Sequence, residues 1–353
     1  MNFMPTLDAR KISIAAISAG GAIAGAAFIR TLFQKPKPLS MAGKVVVITG
    51  GSRGLGLQLA TEFGKAGSRL VLAARDKAEL ERAPAFLLER GAISHASDVL
   101  LVPCDLREAA ECEKLIRQAT EHFGRVDVLV NNAGTIYVGP IEKQPLEAYR
   151  EAMESNFFAA LQTTQAVLPQ MLQRREGAIV NITSIGGKIP VPHLAPYVAS
   201  KFAAVGFSET LHAELRSKGI RVTTVCPGLM RTGSYPNAIV VGELEKEYRW
   251  FSLGASLPGV AHSSEAAARK IFEAVVEGRT EITIGLDAYL AARFAGVAPD
   301  ATQFIGHLAN SAVLPKPKGT TKPTSAQKIK PIQFRPWQVL SNWLTRTQNE
   351  PTA

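Results

Sequence analysis

Short apolar, β-branched runs alternate along this chain with longer stretches whose apolar residues return at helical spacing. Residues 44–49 (KVVVIT), 69–74 (RLVLAA), 99–103, 126–131 and 177–184 (GAIVNITS) read as buried strands. Between them lie helical stretches, one with Leu115, Ile116 and Phe123 on its apolar face. Two more follow: YREAMESNFFAALQTTQAVL, then YVASKFAAVGFSETLHAEL with Val198, Phe202, Val205 and Leu211 at helical spacing. A helix (EAAARKIFEAVVEG) and a last strand (EITIG) close the series. This alternation predicts an α/β fold, a doubly wound parallel sheet with right-handed crossovers and helices on both faces. Ligands collect at the carboxyl ends of such strands, and the polar clusters fall there: the glycine turn after the first, Arg75 after the second, Asp105 after the third, Asn131-Asn132-Ala133-Gly134 after the fourth.

Two of these places carry recognisable chemistry. In residues 50–67 a glycine-rich turn runs straight into a helix, which suits a pyrophosphate: backbone N–H groups point at the phosphates and the helix dipole favours their charge. Gly50, Gly54 and Gly56 stand at Gly-x-x-x-Gly-x-Gly spacing, not the Gly-x-Gly-x-x-Gly of the usual fingerprint. Arg75 ends the second strand where many NAD binders carry an acid. With Arg53 in the turn it suits a 2′-phosphate, so NADP(H) is expected over NAD(H); a plain strand cap beside Asp76 is the alternative. In residues 184–201 Tyr197 and Lys201 stand four apart on a helix, which puts them on one face, one turn apart. An ammonium beside a phenol is expected to favour the phenolate, lowering a pKa that starts near ~10. Ser184 arrives from a strand end. Tyr-x-x-x-Lys also recurs on exposed, ion-paired helix faces, so its weight comes from what accompanies it.

What accompanies it is an ordered set: Thr49-Gly50-Gly51-Ser52-Arg53-Gly54-Leu55-Gly56, Asp105, Asn131-Asn132-Ala133-Gly134, Asn156, Ser184, Tyr197-x-x-x-Lys201 and Pro227-Gly228-x-x-x-Thr232. On these motifs residues 42–285 resemble a short-chain dehydrogenase/reductase of the compact, single-domain branch. The resemblance implies a Rossmann fold of about seven strands. It makes Tyr197 the acid that protonates a reduced carbonyl oxygen, or the base in reverse. Lys201 would lower the Tyr197 pKa and hold the nicotinamide ribose, and Ser184 would donate to the substrate oxygen. Asn156 would bind a water linking Lys201 to solvent, or else face a neighbouring helix. Gly50, Ser52, Arg53, Gly54, Leu55 and Gly56 would hold the cofactor in the turn, Asp105 and Leu106 its adenine, Asn132 the adenine ribose side, and Thr232 the carboxamide or diphosphate. Family members associate through the helices carrying Asn156 and Tyr197, so a homodimer or homotetramer is implied.

Charge and the chain ends complete the reading. Of 353 residues 46% are apolar, ample for a core, and the net charge is +10. The basic excess lies in residues 1–37 and 315–335, while 38–314 are near neutral, which points to a membrane surface and away from nucleic acid. Cys104, Cys112 and Cys226 are scattered without metal-ligand spacing, so no metal site is expected. Residues 12–29 are eighteen without a charge, just long enough to cross ~30 Å of hydrocarbon. An uncleaved anchor is expected, ahead of a cleaved signal or a surface-lying helix, and the flanking bases keep the catalytic domain cytoplasmic. Residues 233–262 occupy the place of the family's substrate loop; Tyr235, Trp250, Phe251 and Leu253 wall the substrate or pack on the tail. Residues 286–314 read as a helical extension, 315–330 as a disordered Pro/Lys/Thr/Ser linker and 336–345 as a short amphipathic helix suited to a membrane interface or to docking on a protein. The organisation is thus 1–37, 38–285, 286–314 and 315–353. The activity expected is NADPH-dependent hydride transfer to a carbonyl or from a secondary alcohol of a lipophilic small molecule. Its rivals are a non-catalytic NADPH-binding scaffold, which has no need of the serine, tyrosine and lysine, and a nucleotide-sugar epimerase, which calls for other glycine spacing and a larger carboxyl-terminal domain.

Overall fold

The computed structural model describes residues 37–231, 235–254 and 262–329; the 12–29 segment, Thr232 and the 336–345 helix lie outside them. The strands β1 (Val45–Thr49), β2 (Arg69–Ala74), β3 (Val99–Pro103), β4 (Val128–Asn131), β6 (Gly177–Ile182), β7 (Ile220–Pro227) and β11 (Glu281–Ile284) form one sheet, ordered β11-β7-β6-β4-β1-β2-β3. Every pairing in it is parallel. The doubly wound parallel sheet expected from the strand–helix alternation is therefore present, with the seven strands the resemblance implies. The order reverses between β1 and β4, which opens a crevice at their carboxyl ends.

Layering explains why these strands lack polar alternation. In β1 all five residues are buried because helices cover both faces. Val46 and Ile48 face a cluster with Leu57 and Phe63 of α1 (Gly54–Lys65) and Ile271 of α8 (Ser264–Glu277). Val45 and Val47 face the opposite cluster, with Leu115 of α3 (Ala109–Phe123) and Met171 of α5 (Ala159–Arg174). α2 (Lys77–Glu89) follows β2, its N-cap Asp76 accepting from the Glu79 N–H at 2.9 Å. A buried polar ladder ties the middle of the sheet together. Asn131 donates to Asn181 at 2.9 Å and accepts from Thr163 at 2.7 Å, and Asn181 donates to Ser208 at 2.9 Å.

Two departures from expectation matter for the site. The helix read through Asn156 is continuous but widened: α4 (Leu146–Met153) passes through a π-helical turn at Glu154–Phe158 into α5. Such single π turns gather at functional positions. The second concerns the tail. Residues 315–330 were expected to be a disordered linker, but Thr320–Ser325 form strand β12, antiparallel to β9 (Ile239–Gly242), which in turn pairs parallel with β5 (Tyr137–Val138). Ala326 and Ile329 are buried just beyond, and this burial, absent from the TTKPTS pattern, fixes the strand. Short β8 (Met230–Arg231) and β10 (His262–Ser263) pair with each other. α7 (Leu244–Gly254) lies in the expected loop region, and α9 (Leu286–Val297) with α10 (Pro299–Ala312) makes the expected helical extension.

Candidate active site

Ser184 follows β6 in extended conformation, its Oγ accepting from the Gly186 N–H at 3.0 Å. It lies beside Tyr197, which enters from the first turn of α6 (Ala195–Leu215): a Cβ on Gly186 would lie 3.5 Å from Ser184 Oγ and 3.3 Å from Tyr197 Cε1. Lys201 sits one turn further on the same helix, buried, and donates to the Ile182 carbonyl at 3.1 Å. The three candidate catalytic side chains thus meet at the carboxyl end of β6. Burial pushes the Tyr197 phenol up, and the Ser184 hydroxyl opposes that rise. Burial also brings the Lys201 ammonium down to about 8. The expectation that Lys201 depresses the phenol needs correction. Its Nζ lies 5.8 Å from the ring centroid, turned to the strand carbonyl, and desolvation governs both groups.

Asn156 is fixed by the π turn. Its Oδ1 accepts from the Thr135 N–H at 2.8 Å, and its Nδ2 donates to the Thr135 carbonyl at 3.0 Å and the Ser200 hydroxyl at 2.9 Å. A Cβ on Gly134 would lie 2.6 Å from Asn156 Oδ1 and 3.6 Å from Lys201 Nζ, so only glycine lets the loop after β4 pass between the asparagine and the lysine.

The crevice wall is built around the glycine turn. Gly50 donates to the Ala73 carbonyl at 2.7 Å, tying the turn to β2. A Cβ on Gly56 would lie 2.1 Å from the Gly50 carbonyl oxygen, so the turn closes on itself only with glycine there. Asn132 clamps the turn to the end of β4, its Nδ2 donating to the Thr49 and Gly50 carbonyls at 2.9 and 3.1 Å. The first turn of α1, which holds Gly54 and Leu55, has neither a side-chain cap nor an acidic residue, so its N–H groups and positive dipole end suit an anion. These features fit the pyrophosphate of a dinucleotide.

At the far end of the crevice the polar groups are partly engaged with one another. Ser52 donates to Glu79 at 3.1 Å and Arg53 at 2.7 Å, so a buried carboxylate absent from the sequence reading holds both. Arg107, also missed, grips Asp105 through Nε at 3.0 Å to both carboxylate oxygens and holds that carboxyl below its usual range, with Arg75 adding to the pull. Arg75 itself is exposed at the end of β2. Leu106 is buried among the apolar residues facing α3 and α5.

Residues 44–238 match the family described as short chain dehydrogenase, more than half of the chain. The chain belongs to the short-chain dehydrogenase/reductase family. It is 35% identical over 269 residues to a dehydrogenase/reductase SDR family protein 7-like of Anopheles gambiae, covering 76% of this chain and 80% of that one. It is 33% identical over 280 residues to a 3-dehydrosphinganine reductase of Danio rerio, covering 77% and 82%. Among solved structures it is similar to a short chain dehydrogenase/reductase from Burkholderia phymatum in complex with NAD, with a TM-score of 0.68, 27% identity, and 74% and 96% of the two chains covered. This short-chain dehydrogenase/reductase is accordingly an NAD(P)-dependent oxidoreductase.

Beside the catalytic residues lies a second cluster that sequence reasoning did not find. His193, four residues before Tyr197, has left-handed backbone (φ 64°), and its carbonyl accepts from the Gly139 N–H at 2.8 Å. Its Nδ1 is 2.9 Å from the carboxylate of Glu247 on α7, which is 0% exposed and also accepts from the Trp250 indole at 2.7 Å. This polar knot holds the substrate-loop helix against the segment leading into Tyr197. Around it Tyr235, Tyr248, Phe251 and Leu253 pack with Leu194 and Tyr197 and, at once, with Ala326 and Ile329 of the tail. The packing on the tail given as one alternative for these aromatics is thus present, and the same cluster reaches Tyr197.

Proposed function

We propose that this short-chain dehydrogenase/reductase uses NADPH to reduce a carbonyl, or NADP to oxidise a secondary alcohol, on a lipophilic small molecule. The observation that carries the proposal is the Ser184–Tyr197 hydroxyl pair one helical turn ahead of buried Lys201. A nicotinamide dinucleotide held along the glycine turn and the Asn132 clamp would supply or accept the hydride. Ser184 donates to the carbonyl oxygen and fixes the carbon beside the crevice. Tyr197 gives its phenolic proton to that oxygen as it gains negative charge, and takes one back from the alcohol in the reverse direction. A phenol raised by burial stays protonated at neutral pH, which suits an acid in the reducing direction. Lys201 would hold the nicotinamide ribose, and Asn156 fixes the Thr135 backbone and the Ser200 hydroxyl beside it.

Arg75, exposed and close enough to act on Asp105, supports NADPH, since a 2′-phosphate beside it gains a charge-assisted bond. The apolar cluster around Tyr197 supports a lipophilic substrate, as does similarity to a 3-dehydrosphinganine reductase. Membrane association with the catalytic domain cytoplasmic belongs to the same proposal. So does a homodimer or homotetramer through the helices of Asn156 and Tyr197, where exposed Phe202 lies on α6. The test is cofactor oxidation with NADPH and NADH over ketones of increasing chain length, repeated with Arg75→Asp. NADPH turnover favouring the longer ketones, with a loss of roughly tenfold or more in the NADPH/NADH ratio of kcat/KM in the variant, is expected. A preference for NADH, or a ratio indifferent to Arg75, contradicts the cofactor assignment.

A further inference from the structure

The hairpin of α9 and α10 has no core of its own. Among the described residues, nine of the fourteen exposed large hydrophobics fall between Leu286 and Val313. On α9 they are Leu286, Tyr289, Leu290, Phe294 and Val297, spaced to lie along the helix; Val297 at the tip is 87% exposed. On α10 they are Phe304, Ile305 and Leu308, and that helix buries no residue at all. A surface this apolar on one protruding element marks an interaction site.

Charge and position say what would cover it. From Ala301 to Ile329 the chain carries no Asp or Glu, but Lys316, Lys318, Lys322 and Lys328. Apolar helices followed by bases without acids complement an anionic lipid surface. The helices have 12 and 14 residues, about 18 and 21 Å, too short to cross ~30 Å of hydrocarbon, so they fit a helix pair lying in the interface. The hairpin leaves β11 at the carboxyl edge of the sheet. A Cβ on Gly306 of α10 would lie 4.0 Å from Pro192, in the segment between Ser184 and Tyr197. α10 therefore passes beside the segment that leads into Tyr197.

We infer that the α9–α10 hairpin is a membrane-docking element that beds in an anionic lipid surface and presents the substrate mouth to it. Its purpose rests on the lipophilic-substrate proposal, while docking itself rests on the exposed face. All three native cysteines are buried, so a single cysteine placed at Val297→Cys or Phe304→Cys of the full chain takes an environment-sensitive fluorophore selectively. Lys77→Cys on α2 serves as control. With vesicles of phosphatidylcholine and phosphatidylserine, bromine on the acyl chains should quench the Val297 and Phe304 probes several-fold more than the control. Quenching should weaken when phosphatidylserine is left out or Lys316 and Lys318 become Gln. Full chain that binds vesicles with both hairpin probes unquenched, or that does not bind, overturns the inference. So does a probe shifted without vesicles: in proportion to protein concentration it identifies a second copy, and independently of concentration it identifies the chain's own unassigned segments. Quenched probes without preference for long ketones would leave docking standing and defeat the substrate proposal instead.

Discussion

Burial sets the chemistry of the catalytic side chains more than proximity does. Lys201 gives up its proton near 8 in the folded chain, against 10.5 for the free group. Between these values the unfolded chain binds more protons, so the contribution of Lys201 to stability rises with pH there. Relative to Lys201→Met, the wild-type unfolding free energy should gain roughly 3 kcal/mol from pH 8 to 10.5. Cys104, raised to about 11 by burial, works in the opposite direction, but it is common to both proteins and cancels. Denaturant titrations across that range check the prediction; parallel curves would contradict it. That Ser184, Tyr197 and Lys201 come together was legible because spacing on a helix and a strand end carries them, whereas Asn156 came only from the resemblance. The direction of the phenol shift was not, because desolvation depends on chain segments far away. The Glu79 hold on Arg53 was equally hidden, since it joins residues 26 apart through a turn whose path no local pattern encodes.

Elements that meet only in three dimensions form the wall of the site. The hairpin-free strand β12 shows why the tail misled: TTKPTS has no apolar alternation, and Pro323 fits only an edge strand. Its order comes from β9 and from the burial of Ala326 and Ile329, neither visible in its own composition. The same holds for α7, where no local pattern marks Glu247, three residues before Trp250, as buried. Removing that carboxylate leaves a buried imidazole and indole without their partner. Glu247→Ala should therefore cost on the order of 3–5 kcal/mol in unfolding free energy, and Glu247→Gln distinctly less. Because the helix borders Tyr197, KM for a long ketone should rise in Glu247→Gln while NADPH affinity stays. A loss below about 1 kcal/mol for the alanine variant, read from denaturant midpoints, would mean that the knot does not hold the loop.

Across the whole molecule the strand–helix alternation was enough for the doubly wound parallel sheet, because its central strands are buried on both faces and read as continuous apolar runs; the seventh strand, β7, came only with the resemblance. The sheet reversal between β1 and β4 then brings the glycine turn, the Asn132 clamp and the Ser184–Tyr197 pair to one edge, the geometry of a nicotinamide-dependent oxidoreductase. What surrounds that edge, the tail strand and the apolar α9–α10 hairpin, carries the substrate and lipid-docking proposals. The central claim, that Tyr197 is the proton donor of hydride transfer, is tested most directly by Tyr197→Phe with NADPH binding and ketone turnover measured on the same sample. An unchanged dissociation constant for NADPH with kcat lower by about 10²–10⁴-fold is the predicted result. Turnover within a few-fold of wild type, with the cofactor bound, would contradict it.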